Sequence, residues 1–358
     1  MRLRRLVARG FRNLADLDCE PPSRGVALLG ANAQGKTNLL EAIYYPVLFR
    51  SFRGSADQQL MRQQPGFHVE VHVEGAGART LEATFAGRKK RIAVDGEEID
   101  RRTEVVGTWL AVVFLPSDLA LAAGAAVERR RYLDRLLSLA DRSYLVALTR
   151  YRAALAQRNS ALRQGRLEMA QAFAGAMAQP GALLVRKRLE WVRRVSEQFA
   201  GELDFLGEAG PARLSYHGRA ELAEEASWRP AFEAALPADR SRGLTTVGPQ
   251  RDDLVLQTGG RGLRDYGSTG QQRSAAIALK LIEIATLHEV RGTQPALLLD
   301  DVFAELDEER QNRLAMRLLE SDQRQVFVTS PRLDELPRNL ELPVWRVEGG
   351  RVVERPTV

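Results

Sequence analysis

The chain has 358 residues, enough for two domains or for one large domain carrying an insertion. Its 44% hydrophobic and 27% charged content is that of a soluble globular protein, and no run approaches the roughly 18 apolar residues of a membrane helix. The net charge of +6 suits a polyanionic partner such as DNA, although only five of the 52 basic residues are lysines, and so strong an arginine bias also arises from genome composition. Cys19, the sole cysteine, excludes an internal disulfide and a cysteine-based metal site within one chain. The basic start, Met1 to Leu6, leads into no apolar segment, so the expectation is a cytoplasmic protein without a signal peptide.

In chain order, Leu3–Arg9 and Val26–Leu29 are strand candidates around the loop at Pro21–Gly25. A helix follows from Asn38 to about Tyr45. Residues 67–75 alternate as a half-exposed strand does, and 79–85 and 91–94 continue the meander across a basic turn at Arg88. Ala111–Phe114 is a further strand, stopped at Pro116. From Val127 to Leu206 the period is helical and the texture arginine-rich, with Asp141 as an N-cap where one helix restarts and Pro180-Gly181 as a second break. Gly207–Pro211 and the region Pro230–Arg242 are expected as loops. Past Thr245, strand, glycine-rich loop and helix resume. The expected organisation is one lobe from 1–115 and 245–358, with an α-helical arm from 116–244.

Gly30-Ala31-Asn32-Ala33-Gln34-Gly35-Lys36-Thr37 matches the phosphate-loop pattern G-x-x-x-x-G-K-[ST], between a strand and a helix that begins at Asn38. Glycines let successive N–H groups face phosphate, and the helix start adds its positive end. Lys36 supplies a charge at the β- and γ-phosphates and Thr37 a hydroxyl to Mg²⁺. Pro295–Asp301 is an apolar strand ending in two carboxylates. Asp300 suits Mg²⁺ coordination, and Asp301 suits orienting or deprotonating water; an acidic turn after a buried strand is the plainer alternative. An amphipathic helix to about Glu320 and a strand at 325–329 complete the order of a phosphate-loop ATPase sheet.

Ser268, Gly270 and Gln271 sit at the start of a helix running from Ser274 to about Val290, some 30 residues before the carboxylate strand. Ser-x-Gly-Gln in that place resembles the signature motif of ABC-type ATPases. The resemblance implies contact with ATP bound by a partner subunit, and hence an ATP-dependent homodimer; an ordinary capped helix is the alternative.

Five stretches resemble the RecF family of bacterial recombination mediators within the ABC/SMC-type ATPases, and together they span nearly the whole chain. They are Gly10–Leu14, Gly35–Ile43, Phe114–Leu119 with Glu128–Asp134, Val247–Leu254, and Asp300–Asp307. The implied fold is an α/β ABC-type head, a mixed sheet with helices, carrying an inserted α-helical arm. The implied cofactors are ATP and Mg²⁺, with Arg12 and Asn38 joining the nucleotide contacts and Lys36 and Asp301 as catalytic residues.

The implied function is recombinational repair and replication within the SOS response. The protein would bind duplex DNA at junctions with single-stranded gaps, assist recombinase loading with the RecO and RecR mediators, and reside at the nucleoid. Ala33, Phe52, Gln250 and Ala304 depart from the family pattern. Asp301 stands where most ABC ATPases place Glu, and Thr329 and Ser330 where many place a switch histidine. A slow, DNA-dependent ATPase is therefore expected.

The helical insertion of about 130 residues is too short for an SMC coiled coil, and one cysteine excludes a zinc-hook apex. A nucleotide-gated binding module without functional hydrolysis and a transporter ATPase subunit remain as alternatives. Arg129, Arg130, Arg131, Arg150, Arg152, Arg158, Arg186, Lys187, Arg188, Arg193 and Arg194 either contact a DNA backbone or form a solvated helical face. His68 and His72 share a strand face with no evident third metal ligand.

Overall fold

In the computed structural model the chain forms two compact units, one of Met1–Asp118 with Glu283–Val358 and one of Leu119–Ile282. Residues 1–62, 65–75, 77–321 and 324–354 are described.

The first unit contains a sheet in the order Arg351–Glu354, Val344–Glu348, Gly25–Leu29, Val326–Ser330, Ala296–Asp300, Ala111–Phe114. The last five strands pair in parallel, and only the terminal hairpin is antiparallel. Both 296–300 and 326–330 are buried along their full length, as a parallel sheet covered on two faces requires. A second sheet is antiparallel, in the order Leu17–Cys19, Arg2–Arg9, Gly66–Glu74, Ala78–Ala86, Lys89–Val94, Glu97–Glu98. Its strand 66–74 alternates strictly, burying Phe67, Val69, Val71 and Val73.

The helix Lys36–Leu48 packs on strands of both sheets. Phe11, Tyr45 and Phe67 meet edge-to-face at 5.3–6.0 Å, and Phe85 stacks on Phe67. Trp109, fully buried, donates its Nε1–H to the Ile43 carbonyl at 3.0 Å. Gln325 ties the two sheets together: its amide bonds both polar groups of Leu3 and the Pro22 carbonyl. A buried amide so fully satisfied fixes register where apolar packing alone tolerates sliding.

The second unit carries the helices Ala126–Ala140, Arg142–Arg163, Leu167–Phe205 and Trp228–Arg242. Asp141 caps the second of these, accepting from the Ser143 N–H at 2.7 Å. Pro180-Gly181 does not break the chain, since Leu167–Phe205 runs through it for 39 residues. Gly181 serves packing rather than a turn: a Cβ there would meet the Trp228 ring at 2.2 Å, so glycine admits the indole against the helix backbone. Residues 228–242 are also helical rather than a loop; Pro230 falls in the first turn, where no intrahelical N–H is needed.

Sequence texture put the return from the arm at residue 245. The backbone instead pairs Asp253–Thr258 with Ala212–His217, and this short sheet holds residues 253–258 in the second unit.

Three of the arm arginines are neither solvated nor available to DNA. Arg129, Arg158 and Arg188 are at most 3% exposed. Arg129 grips Asp253 through Nε and Nη2 at 2.7 and 2.8 Å, and Arg158 pairs with Asp239 at 2.7 Å. Arg188 donates to Asp134 (2.7 Å), the Tyr144 hydroxyl (3.0 Å) and the Pro249 carbonyl (2.7 Å). Arg131, Arg150, Arg152, Arg186, Arg193 and Arg194 are exposed. Removing one side of a buried ion pair leaves an uncompensated charge and costs about 3–5 kcal/mol. Arg188→Ala is expected to lose roughly that much in a denaturant titration, whereas the exposed Arg150→Ala should change stability by less than about 0.5 kcal/mol.

Candidate phosphate and metal site

The strand Gly25–Leu29 delivers the loop Gly30–Gly35, and the helix Lys36–Leu48 starts directly behind it. Two glycines are required. A Cβ on Gly30 would lie 2.3 Å from the Val347 carbonyl oxygen, and Gly35 has φ 108°. Ala33 also has positive φ, 65°, so this alanine occupies the left-handed region in which glycine is cheapest.

No side chain caps the helix at Gly35, and its first turn carries no acidic residue. Its N-terminal N–H groups are therefore offered outward with the positive end of the helix, which is an anion site in form. Lys36 lies folded against this loop, 4% exposed, donating to the Gly30 and Ala31 carbonyls at 2.6 and 3.1 Å.

Thr37 donates its hydroxyl to Asp300 Oδ1 at 2.7 Å. Thr329, across the sheet, donates to the same oxygen at 2.9 Å and accepts the Asp301 N–H at 3.0 Å. Asp301 leaves the strand with φ 50°. Burial raises the Asp300 carboxyl above its ordinary range, and the bonds from Thr37 and Thr329 only partly offset this. A hydroxyl and a carboxylate oxygen 2.7 Å apart, both hard donors beside an anion cradle, fit a small divalent cation such as Mg²⁺.

Around this lies a clasp built on Glu41. Glu41, fully buried one turn into the helix, accepts from Arg12 Nε at 2.9 Å and Nη2 at 3.0 Å, and from the Ser51 hydroxyl. Arg12 also reaches Ser55 at 2.8 Å. Asn13 donates to the Ala33 carbonyl and accepts from Asn38, whose own oxygen accepts from Arg53. Gln34 is held by the turn of the terminal hairpin, accepting from the N–H groups of Gly349 and Gly350 at 2.7 and 2.8 Å. The sequence signal for Glu41 was available: it is a lone acid in the buried run of an apolar helix, which demands a partner.

The structure brings together Gly30 through Asn38, Arg12, Asp300 and Asp301, all in the first unit. Ser268, Gly270 and Gln271 belong to the second. There Ser268 is exposed at the start of the helix Thr269–Arg291. Its N–H donates to Gln271 Oε1 at 3.0 Å, and its hydroxyl accepts from the Gln271 N–H at 3.2 Å, a reciprocal cap.

Residues 2–339 match the model of the RecF/RecN/SMC N terminal domain family. The DNA replication and repair protein RecF of Anaeromyxobacter sp. (strain Fw109-5) is 38% identical over 98% of this chain and 99% of its own. The chain belongs to the RecF family. The RecF of Halalkalibacterium halodurans is 32% identical over 99% of this chain and all of its own length. The solved structure of the recombination mediator protein RecF-ATP in the RecFOR pathway superposes with a TM-score of 0.89, at 29% identity over 99% of this chain and 98% of that one. An Smc head bound to the C-winged helix domain of ScpA superposes at 0.56 with 14% identity, a likeness of fold alone. The α/β ABC-type head expected from sequence is thus the fold of this RecF-family chain.

The raised Asp300 carboxyl gives a sign for stability. A carboxyl whose folded pKa exceeds its unfolded value favours the folded state below the unfolded pKa, and that contribution is lost as pH rises through the folded one. At neutral pH the buried charge is therefore a burden on the free protein. Asp300→Asn is expected to raise the melting temperature of the ligand-free chain at pH 7 while abolishing the further rise given by ATP with Mg²⁺. Differential scanning calorimetry with and without nucleotide checks both halves.

Proposed function

We propose that the chain binds ATP with Mg²⁺ at Gly30–Thr37 and Asp300, and that two ATP-bound copies pair, each offering Ser268, Gly270 and Gln271 to the other's site. The observation that carries the nucleotide site is the Thr37–Asp300 hydrogen bond beside an uncapped helix start; the pairing rests on the signature-like Ser268–Gln271 at a helix start. Lys36 exchanges the Gly30 and Ala31 carbonyls for the β- and γ-phosphate oxygens. Asn38 and Arg12 flank the nucleotide. Thr37 and Asp300 would hold Mg²⁺, which would supply positive charge against the charge developing on the phosphates. Asp301, on its left-handed backbone, orients the attacking water and takes its proton. A carboxylate one methylene shorter than the usual Glu, with Thr329 and Ser330 rather than a histidine beyond it, supports slow hydrolysis that times release.

Curated relatives are named for DNA replication and repair, and the solved RecF structures for recombination mediation in the RecFOR pathway. On that basis the ATP-bound dimer holds duplex DNA beside single-strand gaps. It helps RecO and RecR place recombinase on gaps coated by single-strand-binding protein, and DNA stimulates its weak ATPase. The setting is the cytoplasm, at the nucleoid; no described helix is long and apolar enough to cross a membrane.

One observation favours a second reading. The Ser268–Gln271 bonds are also those of an ordinary capping box, in which case the chain binds nucleotide as a monomer.

Solution mass separates the two. The 39.8 kDa chain is expected to double in mass with ATP and Mg²⁺ and to bind gapped DNA only then. Lys36→Met loses charge-assisted bonds of about 1.5–3 kcal/mol, lowering ATP affinity about ten- to a hundredfold. Ser268→Arg should bind ATP normally and stay monomeric. ATP binding without a mass change in the wild type would leave the nucleotide site standing and refute the shared one. Asp301→Asn is expected to trap dimers on DNA.

A further inference from the structure

The outer face of the antiparallel sheet carries a second cluster of donors, in the first unit and separate from the Gly30–Thr37 loop. On the strand Gly66–Glu74, His68, Glu70 and His72 follow at every second position and so share one face. The antiparallel partner Ala78–Ala86 sets Glu82 directly opposite Glu70 and Thr84 opposite His68. Ligand atoms of His68, Glu70 and Glu82 all lie within 4.8 Å of one another, and among the described residues this is the group so arranged. The third ligand that sequence could not supply comes from the neighbouring strand.

Two carboxylates in register across a ladder repel one another. On the adjoining strand Arg5 and Arg9 stand opposite His72 and His68, and Arg5 grips Asp18 through Nε at 2.7 Å and through Nη2. His68 is oriented as a ligand is. Its Nδ1 lies 2.9 Å from the Thr84 hydroxyl; with Nδ1 protonated and donating there, Nε2 holds the free lone pair. That Nε2 is 3.4 Å from Glu70 Oε2, close to the roughly 3.4 Å edge of a tetrahedron with metal–ligand bonds near 2.1 Å. His72 Nε2 contacts the other oxygen of Glu70. All four groups are partly exposed, so an ion has an entry path.

We propose that His68, Glu70 and Glu82, with His72 at hand, form a binding site for a divalent transition metal of the zinc type. Imidazole nitrogen with carboxylate oxygen suits zinc or cobalt better than magnesium. The ion neutralises the facing Glu70–Glu82 pair and staples the two strands, so it is a structural site independent of nucleotide.

The test uses the untagged full chain, stripped with chelator and held in millimolar Mg²⁺. Zn²⁺ is titrated against a chromophoric chelator, and Co²⁺ is followed by its visible absorption. One Zn²⁺ per chain is expected at submicromolar affinity, with a tetrahedral Co²⁺ spectrum. His68→Asn and Glu82→Gln should each weaken Zn²⁺ at least tenfold and abolish that spectrum, while Asp300→Asn leaves both unchanged. Should His68→Asn fail to fold, Glu82→Gln, which keeps shape and removes only charge, decides. Absence of tight Zn²⁺ binding in the wild type, or equal binding by wild type and Glu82→Gln, overturns the proposal.

Discussion

The hydrogen bond from Thr37 to Asp300 joins residues 263 positions apart in sequence, and the arrangement of the first unit serves to make it possible. It requires Gly25–Leu29 and Ala296–Asp300 to end at the same edge of one sheet, with Val326–Ser330 between them. The parallel register does this: Thr329 stands beside Asp300 on one side and Leu28 on the other. Thr329 then acts as more than a spacer, because its hydroxyl binds the same carboxylate oxygen as Thr37 and receives the Asp301 N–H. A carboxylate raised by burial, yet held by two hydroxyls, is poised to gain from a cation. The site is thus built at a cost to the free chain that the proposed cation would remove.

The loop itself is held from three directions. The helix behind it is fastened through Glu41 to Arg12 and Ser51; Asn13 reaches the Ala33 carbonyl; the terminal hairpin clasps Gln34. Residues 10–13, 30–41, 51–55 and 349–350 therefore behave as one hydrogen-bonded assembly. Such bracing explains how Ala33 persists at φ 65° without a glycine, since surrounding bonds over-determine the backbone there.

Much of this was legible in advance, and the failures are instructive. Strand 66–74 and strand 111–114 follow from alternation and from an apolar run stopped by proline, both local signals. The phosphate loop and the carboxylate strand follow from spacing. What sequence could not supply was anything decided by a distant partner. Pro180-Gly181 looks like a stop until Trp228 is found lying on Gly181. Pro230 looks like a loop residue until its place in a first turn is known. Strand 212–217 does alternate, Ala212, Leu214 and Tyr216 against Arg213, Ser215 and His217, but nothing local says that its partner is 253–258. Glu82 lies too far along the chain from His68 for spacing to relate them; only hairpin register does.

Two of the stretches that carry the RecF resemblance, Glu128–Asp134 and Val247–Leu254, meet in the second unit rather than at the phosphate loop. Arg129 holds Asp253, and Arg188 links Asp134 with Asp252 at 2.7 and 3.5 Å. Tyr132 donates to the Leu279 carbonyl at 2.6 Å, in the helix that opens with Ser268-Thr269-Gly270-Gln271. These charges are too deeply buried to touch a nucleic acid, and replacing a buried ionic network with apolar residues is often neutral for stability. What apolar packing lacks is a unique geometry. A bidentate arginine–carboxylate pair fixes position and angle together, and here the Arg129–Asp253 pair, with the Arg188 bonds beside it, fixes how the arm helices and the strand Asp253–Thr258 are set. In the proposed dimer, Ser268, Gly270 and Gln271 would have to reach into another subunit's site with little angular error, and this buried scaffold is what would hold their helix at a fixed angle.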